Sequence, residues 1–216
     1  MRETTLQLIR EHKLITIVRG LPHEQLLPLA EALYAGGIRM MEITFAQNNP
    51  DSWKDTASGI KLLSEKMAGK ICVGAGTVVS LEQLQMAYEA GAQYIISPSV
   101  HVDVIKKTRE LGLVSLPGAL TPTEAMVAYA AGADMVKIFP IGDLGASYLK
   151  SIVAPLSHIP FLAVGGVSDK NAGEFLAAGA LGVGVGGYLV NKDLIAQGRF
   201  DEITAMAKKY VSAVQA

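Results

Sequence analysis

The amino-acid sequence predicts a parallel α/β protein, a single (β/α)8 TIM barrel preceded by one extra N-terminal helix. Eight short apolar runs alternate along the 216 residues with segments long enough to form helices. Most of these runs are apolar at nearly every position, which is typical of parallel strands buried on both faces. Eight strand–helix units use the whole length, so we expect residues 1–216 to form one barrel domain.

The predicted strands share β-branched residues and are followed by Gly, Pro or Ser turns. They lie at residues 14–18, 38–44, 70–74, 94–97, 114–116, 134–139, 160–164 and 181–186. The alternative architecture is an open, doubly wound sheet, which usually carries a G-x-G-x-x-G turn after its first strand. Here residues 19–23 read Arg-Gly-Leu-Pro-His, and the glycines at 182–186 have the wrong spacing for that turn.

The predicted helices begin with residues 4–12, ahead of the first strand. Further helical segments are expected at 25–34, 81–90, 123–131 and 171–178, and Ser80 and Thr121 are candidate N-caps. Each of these segments is closed by alanine, glycine and a second small residue, at 35–37, 90–92, 131–133 and 178–180. Glycine there supplies the left-handed residue that ends a helix before the next strand.

Composition limits the partners and the compartment. The formal net charge is −1, with no basic arm or patch, so we expect neither a nucleic acid nor a membrane as partner. Residues 1–12 lack a signal-peptide core, and the longest uncharged stretch, 175–190, is shorter than a membrane span. Cys72 is the only cysteine and lies in an apolar run. We therefore expect a buried thiol and a cytoplasmic protein that binds a small molecule or its own copies.

Two ionisable residues interrupt apolar strands. Lys137 lies in the run 135–139 and Glu42 in the run 40–44. Burial lowers the pKa of a lysine, and a neutral amine can attack a ketone to form an imine. A buried carboxylate can move the protons that this chemistry needs. The alternatives are a lysine whose head reaches solvent and a structural ion pair between Glu42 and Lys137 or Arg19. Two such groups on separate strand ends favour a site.

Glycine pairs follow the last two strands. Gly165-Gly166 precedes a helix and Gly186-Gly187 ends the eighth strand, where barrels often bind phosphate through backbone N–H groups. Tight turns alone would also explain these glycines. The four histidines lie in loops or at helix ends, without metal-ligand spacing, so we expect no metal and no cofactor.

The strand ends together resemble the 2-keto-3-deoxy-6-phosphogluconate aldolase family, which includes 4-hydroxy-2-oxoglutarate aldolase activity and a 6-phosphogalactonate relative. The motifs that carry the resemblance span nearly the whole chain in order: Glu-Ile-Thr at 42–44, Gly-Ala-Gly-Thr at 74–77, Ile-Ser-Pro at 96–98, Pro-Gly at 117–118, Lys-Ile-Phe-Pro at 137–140 and Gly-Gly-Val at 165–167. The resemblance implies a metal-free class I aldolase, a homotrimer of barrels, that cleaves a 2-keto-3-deoxy sugar acid to pyruvate and an aldehyde.

The resemblance also implies residue roles. Lys137 would form the Schiff base and Glu42 would be the general acid/base, acting through a water. Thr77 would hold the carboxylate or carbonyl end of pyruvate. The remaining expected substrate-binding residues are Arg19 and Thr44, Pro98 and Phe139 around the pocket, and Gly165, Gly166, Gly186 and Gly187 at the distal phosphate end.

Three positions depart from the family pattern. Ala46 replaces a frequent arginine, Gly187 a frequent serine, and Val164 a frequent threonine, although valine is found there in the galactonate branch. The substrate could therefore carry a phosphate or lack one. Two other functions remain as alternatives: a phosphate-binding barrel isomerase or epimerase, and a non-catalytic sugar-acid sensor.

Overall fold

The computed structural model describes residues 2–215, so the outermost residues of the predicted domain lie outside the described range. Within that range the strands form one parallel sheet in the order β5-β4-β3-β2-β1-β9-β8-β7-β6. They are β1 Leu14–Val18, β2 Met40–Thr44, β3 Cys72–Gly76, β4 Tyr94–Ile96, β5 Val114–Leu116, β6 Gly118–Ala119, β7 Val136–Ile138, β8 Phe161–Val164 and β9 Gly182–Val185.

The sheet closes at Pro117, which separates β5 from β6. β5 pairs with β4 and β6 pairs with β7, so the two short strands occupy one strand position. The backbone continues the ladder across the break, because the N–H of Lys137 donates to the carbonyl of Pro117 at 2.8 Å and that of Asp134 to Ser115 at 2.9 Å. Proline has no N–H to give to the ladder, which explains the interruption. The predicted eight-stranded barrel is confirmed, and the open sheet is wrong.

Helices cover the outside of the barrel. Before and between the strands run α1 Arg2–His12, α2 His23–Ala35, α3 Trp53–Lys66, α4 Leu81–Glu89, α5 Val102–Glu110, α6 Pro122–Ala130, α7 Gly145–Val153, α8 Ala172–Ala177, α9 Lys192–Ala196 and α10 Phe200–Gln215, with a 3-10 turn at Pro50–Ser52. Ser80 and Thr121 cap α4 and α6 as expected, each accepting a hydrogen bond from the backbone three residues on. The helices pack on the outward strand residues and form the larger apolar cluster.

The extra helix α1 closes the N-terminal end of the barrel. Leu6 and Ile9 belong to the interior cluster with Ile15, Met40 and Leu162 from three strands. A peripheral ion pair fixes the start of this helix, since Arg2 binds Asp134, which is also hydrogen-bonded to the backbone N–H of Ser115. With its floor filled by apolar side chains, the barrel can open only at the carboxyl ends of the strands.

One strand lies two residues later than predicted. The predicted strand 70–74 is observed as β3 Cys72–Gly76, because the N–H groups of Lys70 and Ile71 still donate to Met67 at the end of α3. The later boundary does not change which side chains of this segment face inward, because side chains alternate along the backbone of a strand. It extends β3 toward the open end, where Gly76 pairs with Thr44 of β2.

The described helices include none that is both long enough and apolar enough to cross a membrane.

Candidate active site

Lys137 lies on β7 with its side chain inside the open end of the barrel. Only 6% of its surface is exposed, and Nζ lies 4.6 Å from the centre of the Phe139 ring. Burial lowers the pKa of Lys137, because a charged ammonium loses its hydration. The negative charge of Glu42 opposes this shift and the positive charge of Arg19 adds to it. The net effect favours a neutral amine at lower pH than for a surface lysine.

Glu42 lies on β2 and is 2% exposed. Burial raises the pKa of Glu42 to about 7, against the opposing effects of the charges on Lys137 and Arg19. Among the described residues its Oε2 has no hydrogen-bond partner, and no ion pair within 4.0 Å joins it to Lys137 or Arg19. The structural ion pair considered from the sequence is therefore not formed. A carboxyl group that titrates near neutrality is suited to proton transfer.

Space for the Glu42 carboxyl comes from Gly76. A Cβ built on Gly76 would lie 2.7 Å from Cδ of Glu42 and 2.8 Å from both carboxylate oxygens. One layer below, Gly74 makes similar room, since its Cβ would lie 2.3 Å from the ring of Tyr94. The two glycines of Gly74-Ala-Gly76 thus accommodate the side chains of neighbouring strands. Neither contact is visible in the sequence, because both depend on which residues face inward.

Thr77 and Arg19 meet at the rim of the barrel. Thr77 follows β3 in a left-handed backbone conformation, with φ of 57°. Its Oγ1 accepts a hydrogen bond of 3.2 Å from a guanidinium nitrogen of Arg19, an exposed residue. Thr44 lies two residues after Glu42 on β2, so the two side chains point to the same side of the strand. The buried Oγ1 of Thr44 has no hydrogen-bond partner among the described residues. Hydrogen-bonding groups without a partner among the described residues therefore remain on β2, at Thr44 and Glu42.

Two cavities open at this end, and Arg19 lines both. The first, of about 580 Å³, also includes Thr44, Thr77 and Gln47 in its wall. The second, of about 430 Å³, is lined by Phe139, Tyr188 and the four predicted glycines Gly165, Gly166, Gly186 and Gly187. Three of the predicted site residues, Lys137, Glu42 and Pro98, line neither of these two cavities. Pro98 is half-buried two strands from Lys137, with its carbonyl against Gly118, the β6 residue paired with Lys137.

Gly165-Gly166 and Gly186-Gly187 are glycines for different structural reasons. Gly165 and Gly166 have φ of 90° and 73°, and a Cβ on Gly166 would lie 2.8 Å from the Cα of Gly142. Backbone geometry and packing thus explain this pair. A Cβ on Gly187 would meet nothing within 4 Å, and on Gly186 nothing nearer than 3.8 Å. The second pair therefore leaves open space in the cavity rather than satisfying a turn.

Gln47, in the loop after β2, was missed by sequence reasoning. Its side-chain amide donates a hydrogen bond of 2.7 Å to the carbonyl of Thr77, and its oxygen accepts one of 3.0 Å from Gln83 of α4. No motif marks either glutamine, since the bonds that join Gln47 to Gln83 and to Thr77 connect residues 30 or more positions apart. Within residues 2–215, no three His, Cys, Asp or Glu side chains lie close enough together to hold a metal ion.

Comparison with known proteins agrees with this arrangement. Residues 6–206 match the family model described as KDPG and KHG aldolase. The chain is 34% identical over 203 residues to the 2-dehydro-3-deoxy-6-phosphogalactonate aldolase of Escherichia coli K12, covering 94% of this chain and 96% of that protein. It is also 34% identical over 203 residues to the 2-dehydro-3-deoxy-phosphogluconate aldolase of Dickeya dadantii, covering 94% and 91%.

A solved relative shows the same fold. The KDPG aldolase of Legionella pneumophila, with pyruvate captured as a covalent carbinolamine intermediate, superposes with a TM-score of 0.83 at 27% identity, covering 93% of this chain and 95% of that one. The family model spans most of the chain, and the relatives are matched over nearly their full length. This protein therefore belongs to the KDPG and KHG aldolase family.

Proposed function

We propose that this protein is a class I aldolase that cleaves a 2-keto-3-deoxy sugar acid to pyruvate and an aldehyde through a Schiff base on Lys137. As a member of an aldolase family it is a carbon–carbon lyase. The observation that supports the proposed mechanism is the pair of buried groups, Lys137 with a lowered pKa and Glu42 with a raised pKa, whose charges interact although no ion pair joins them. A neutral nucleophile and a nearby proton carrier are what imine chemistry requires.

In the proposed reaction the neutral amine of Lys137 attacks the C2 carbonyl of the substrate. The carbinolamine loses water, with its oxygen protonated by Glu42 directly or through a water, and leaves an iminium ion. The C3–C4 bond then breaks: its electron pair passes into the C2–C3 bond of an enamine, and the C4 hydroxyl gives its proton to the Glu42 carboxylate. Protonation of the enamine at C3 and hydrolysis of the iminium release pyruvate and restore the amine.

Substrate binding is proposed for the remaining strand-end residues. Thr77 and Arg19, joined by their hydrogen bond, would hold the carboxylate end, where the guanidinium supplies positive charge and the hydroxyl a donor. Phe139, in contact with Nζ of Lys137, would exclude water from the imine. Thr44 and Pro98 would border the same space, and the cavity along Gly165, Gly166, Gly186 and Gly187 would receive the distal end of the sugar acid.

Borohydride trapping tests the Schiff base. Reduction of the protein with borohydride in the presence of pyruvate should attach one reduced pyruvate to Lys137, located by peptide mass spectrometry. Lys137→Ala should not be labelled and should not release pyruvate from any substrate. Lys107→Ala, which removes a lysine exposed on α5, is the matched control and should behave as the wild type. Equal labelling of Lys137→Ala would overturn the mechanism.

The substrate is proposed from the relatives and the distal cavity. The candidates are the 6-phosphates of 2-keto-3-deoxygluconate and 2-keto-3-deoxygalactonate, their unphosphorylated forms, and 4-hydroxy-2-oxoglutarate. Among the described residues lining the distal cavity, Arg19 is the one charged side chain. A coupled assay of pyruvate release across these five compounds, compared by kcat/KM, identifies the substrate. Activity on none of them would remove the proposal.

We also propose that the protein works as a homotrimer in the cytoplasm. Large apolar side chains are exposed along three adjacent helices: Leu81 and Tyr88 of α4, Val102 of α5, and Met126, Val127 and Tyr129 of α6. Apolar surface of this kind is typical of an interface between subunits. Light scattering coupled to size-exclusion chromatography should give three times the 22.8 kDa chain mass, and a monomer would contradict the trimer.

The proposed cytoplasmic location is supported by the state of the cysteine. Cys72, the one cysteine of the protein, is buried and unpaired, as is usual in a reducing compartment.

A further inference from the structure

Thr77 has a backbone conformation that threonine rarely adopts. Its φ of 57° is in the left-handed region, where the branched side chain crowds the backbone. A residue in this conformation persists only where the surrounding structure holds it there. Thr77 also connects the two parts of the site, because its hydroxyl binds Arg19 and its neighbour Gly76 lies against the Glu42 carboxyl.

A chain of two glutamines holds the carbonyl of Thr77. The N–H of Val79 donates to Oε1 of Gln83 at 2.8 Å, Nε2 of Gln83 donates to Oε1 of Gln47 at 3.0 Å, and Nε2 of Gln47 donates to the carbonyl of Thr77 at 2.7 Å. A backbone N–H can only donate and a carbonyl can only accept, so both ends of the chain dictate the orientation of both amides. Gln83 is fully buried and its own N–H donates to Ser80, which fixes its position on α4.

We propose that Gln47 and Gln83 are positioning residues for the 2-oxo acid site. By holding the carbonyl of Thr77 they keep its left-handed turn, and the turn aims the threonine hydroxyl at the place beside Arg19 where the substrate carboxylate binds. The inference rests on the proposed function, because it assigns the carboxylate to Thr77 and Arg19. Gln47 has no role in the proton transfers, which belong to Lys137 and Glu42.

The arrangement predicts a specific kinetic signature. Gln47→Ala removes the donor to Thr77 from an exposed loop, so the fold should be retained. KM for the sugar acid should rise about five- to tenfold, the size expected for one lost hydrogen bond that supports a binding group, with kcat changed less than about twofold. Gln85→Ala is the matched control, because Gln85 is a glutamine on the helix that carries Gln83 and its side chain binds only the exposed Glu89. It should leave both constants unchanged.

A double-mutant cycle separates positioning from a general structural effect. If Gln47 acts through Thr77, then Thr77→Ala and the Gln47→Ala/Thr77→Ala double variant should have the same KM, because the second change has nothing further to disturb. Additive increases in KM, or a fall in kcat equal to the rise in KM, would overturn the inference. So would an unchanged KM in Gln47→Ala.

Pyruvate trapping separates this inference from the proposed function. If borohydride traps pyruvate on Lys137 in the wild type at saturating pyruvate, and Gln47→Ala needs more pyruvate for half-maximal trapping, both hold. If the wild type is trapped and Gln47→Ala has the same half-maximal pyruvate concentration, the positioning role fails alone. If the wild type is not trapped at any pyruvate concentration, the proposed function fails and the positioning role falls with it.

Discussion

The carboxyl group of Glu42 occupies the space where residue 76 would carry its side chain. A Cβ on Gly76 would stand 2.7 Å from Cδ of Glu42, closer than real side-chain contacts allow. In the register of β2 and β3, Glu42 pairs with Gly74, so its carboxyl extends two residues further along β3 to reach Gly76. The absence of a side chain on β3 thus allows a buried carboxyl to reach the open end of the barrel.

Gly76→Ala should therefore impair catalysis more than its one added methyl group suggests. The methyl would displace the Glu42 carboxyl from its position, and a misplaced catalytic group can lower kcat by about 100-fold. Steady-state kinetics of pyruvate release would measure the loss, with circular dichroism to verify the fold. Gly173→Ala is the matched control, since its Cβ would make an ordinary contact at 3.7 Å. Retention of wild-type kcat by Gly76→Ala would show that the carboxyl tolerates displacement.

Stability should fall as pH rises through neutrality because of Glu42. Its pKa rises from 4.5 to about 7 on folding, mainly through burial, so over this range the folded protein keeps a proton that the unfolded chain has released. The stability linked to that proton is fully present below pH 4.5 and is lost as pH rises through about 7. The full change amounts to about 3 kcal/mol.

Urea unfolding at pH 5 and pH 8.5 would measure this linkage. The free energy of unfolding of the wild type should fall between the two pH values by more than that of Glu42→Gln, whose amide does not titrate. Glu65→Gln, on the exposed face of α3, is the control and should follow the wild type. Parallel pH profiles for wild type and Glu42→Gln would show that the Glu42 carboxyl is not held protonated by burial.

Gly187→Ser should increase the preference for a phosphorylated substrate. The position has open space for a side chain, and the added hydroxyl would face the distal cavity as one more hydrogen-bond donor. One new hydrogen bond to an anion should lower KM for a 6-phosphate substrate by about tenfold and leave the unphosphorylated analogue unchanged. Gly166→Ser is the contrasting variant: it should destabilise the protein, because its Cβ would lie 2.8 Å from Gly142. An equal effect of Gly187→Ser on both substrates would place the distal group elsewhere.

Cys72 should resist thiol reagents until the protein unfolds. The side chain lies in the barrel interior, and burial raises the pKa of its thiol to about 11, so little reactive thiolate is present at neutral pH. Labelling with Ellman's reagent should be slow in buffer and rapid and stoichiometric in urea. Ser151→Cys adds an exposed thiol on α7 and should label at once in buffer. Rapid labelling of the native wild type would show that the barrel interior is accessible.

Much of the site could be predicted because its ionisable residues interrupt otherwise apolar runs of sequence. Lys137 and Glu42 are ionisable residues in otherwise apolar strands, and both are buried at the carboxyl ends, as the pattern indicated. Thr77 could be identified only through its family motif, since nothing in its neighbourhood marks a left-handed turn. Gln47 and Gln83 could not be identified from the sequence, because amides in a loop and on a helix are common and the bonds that link these two to each other and to Thr77 are long-range.

The sequence by itself determined the barrel and the two buried ionisable groups, because alternation of apolar strands with capped helices, and polar residues within apolar runs, are properties of neighbouring residues. The tertiary structure decided that Glu42 and Lys137 do not form an ion pair, since that depends on the placement of β2 and β7 across the barrel. It also decided that Gly165 and Gly166 are required by their left-handed backbone conformation, whereas Gly187 borders open space in the distal cavity. These outcomes depend on register and packing between residues far apart in sequence, which no local pattern records.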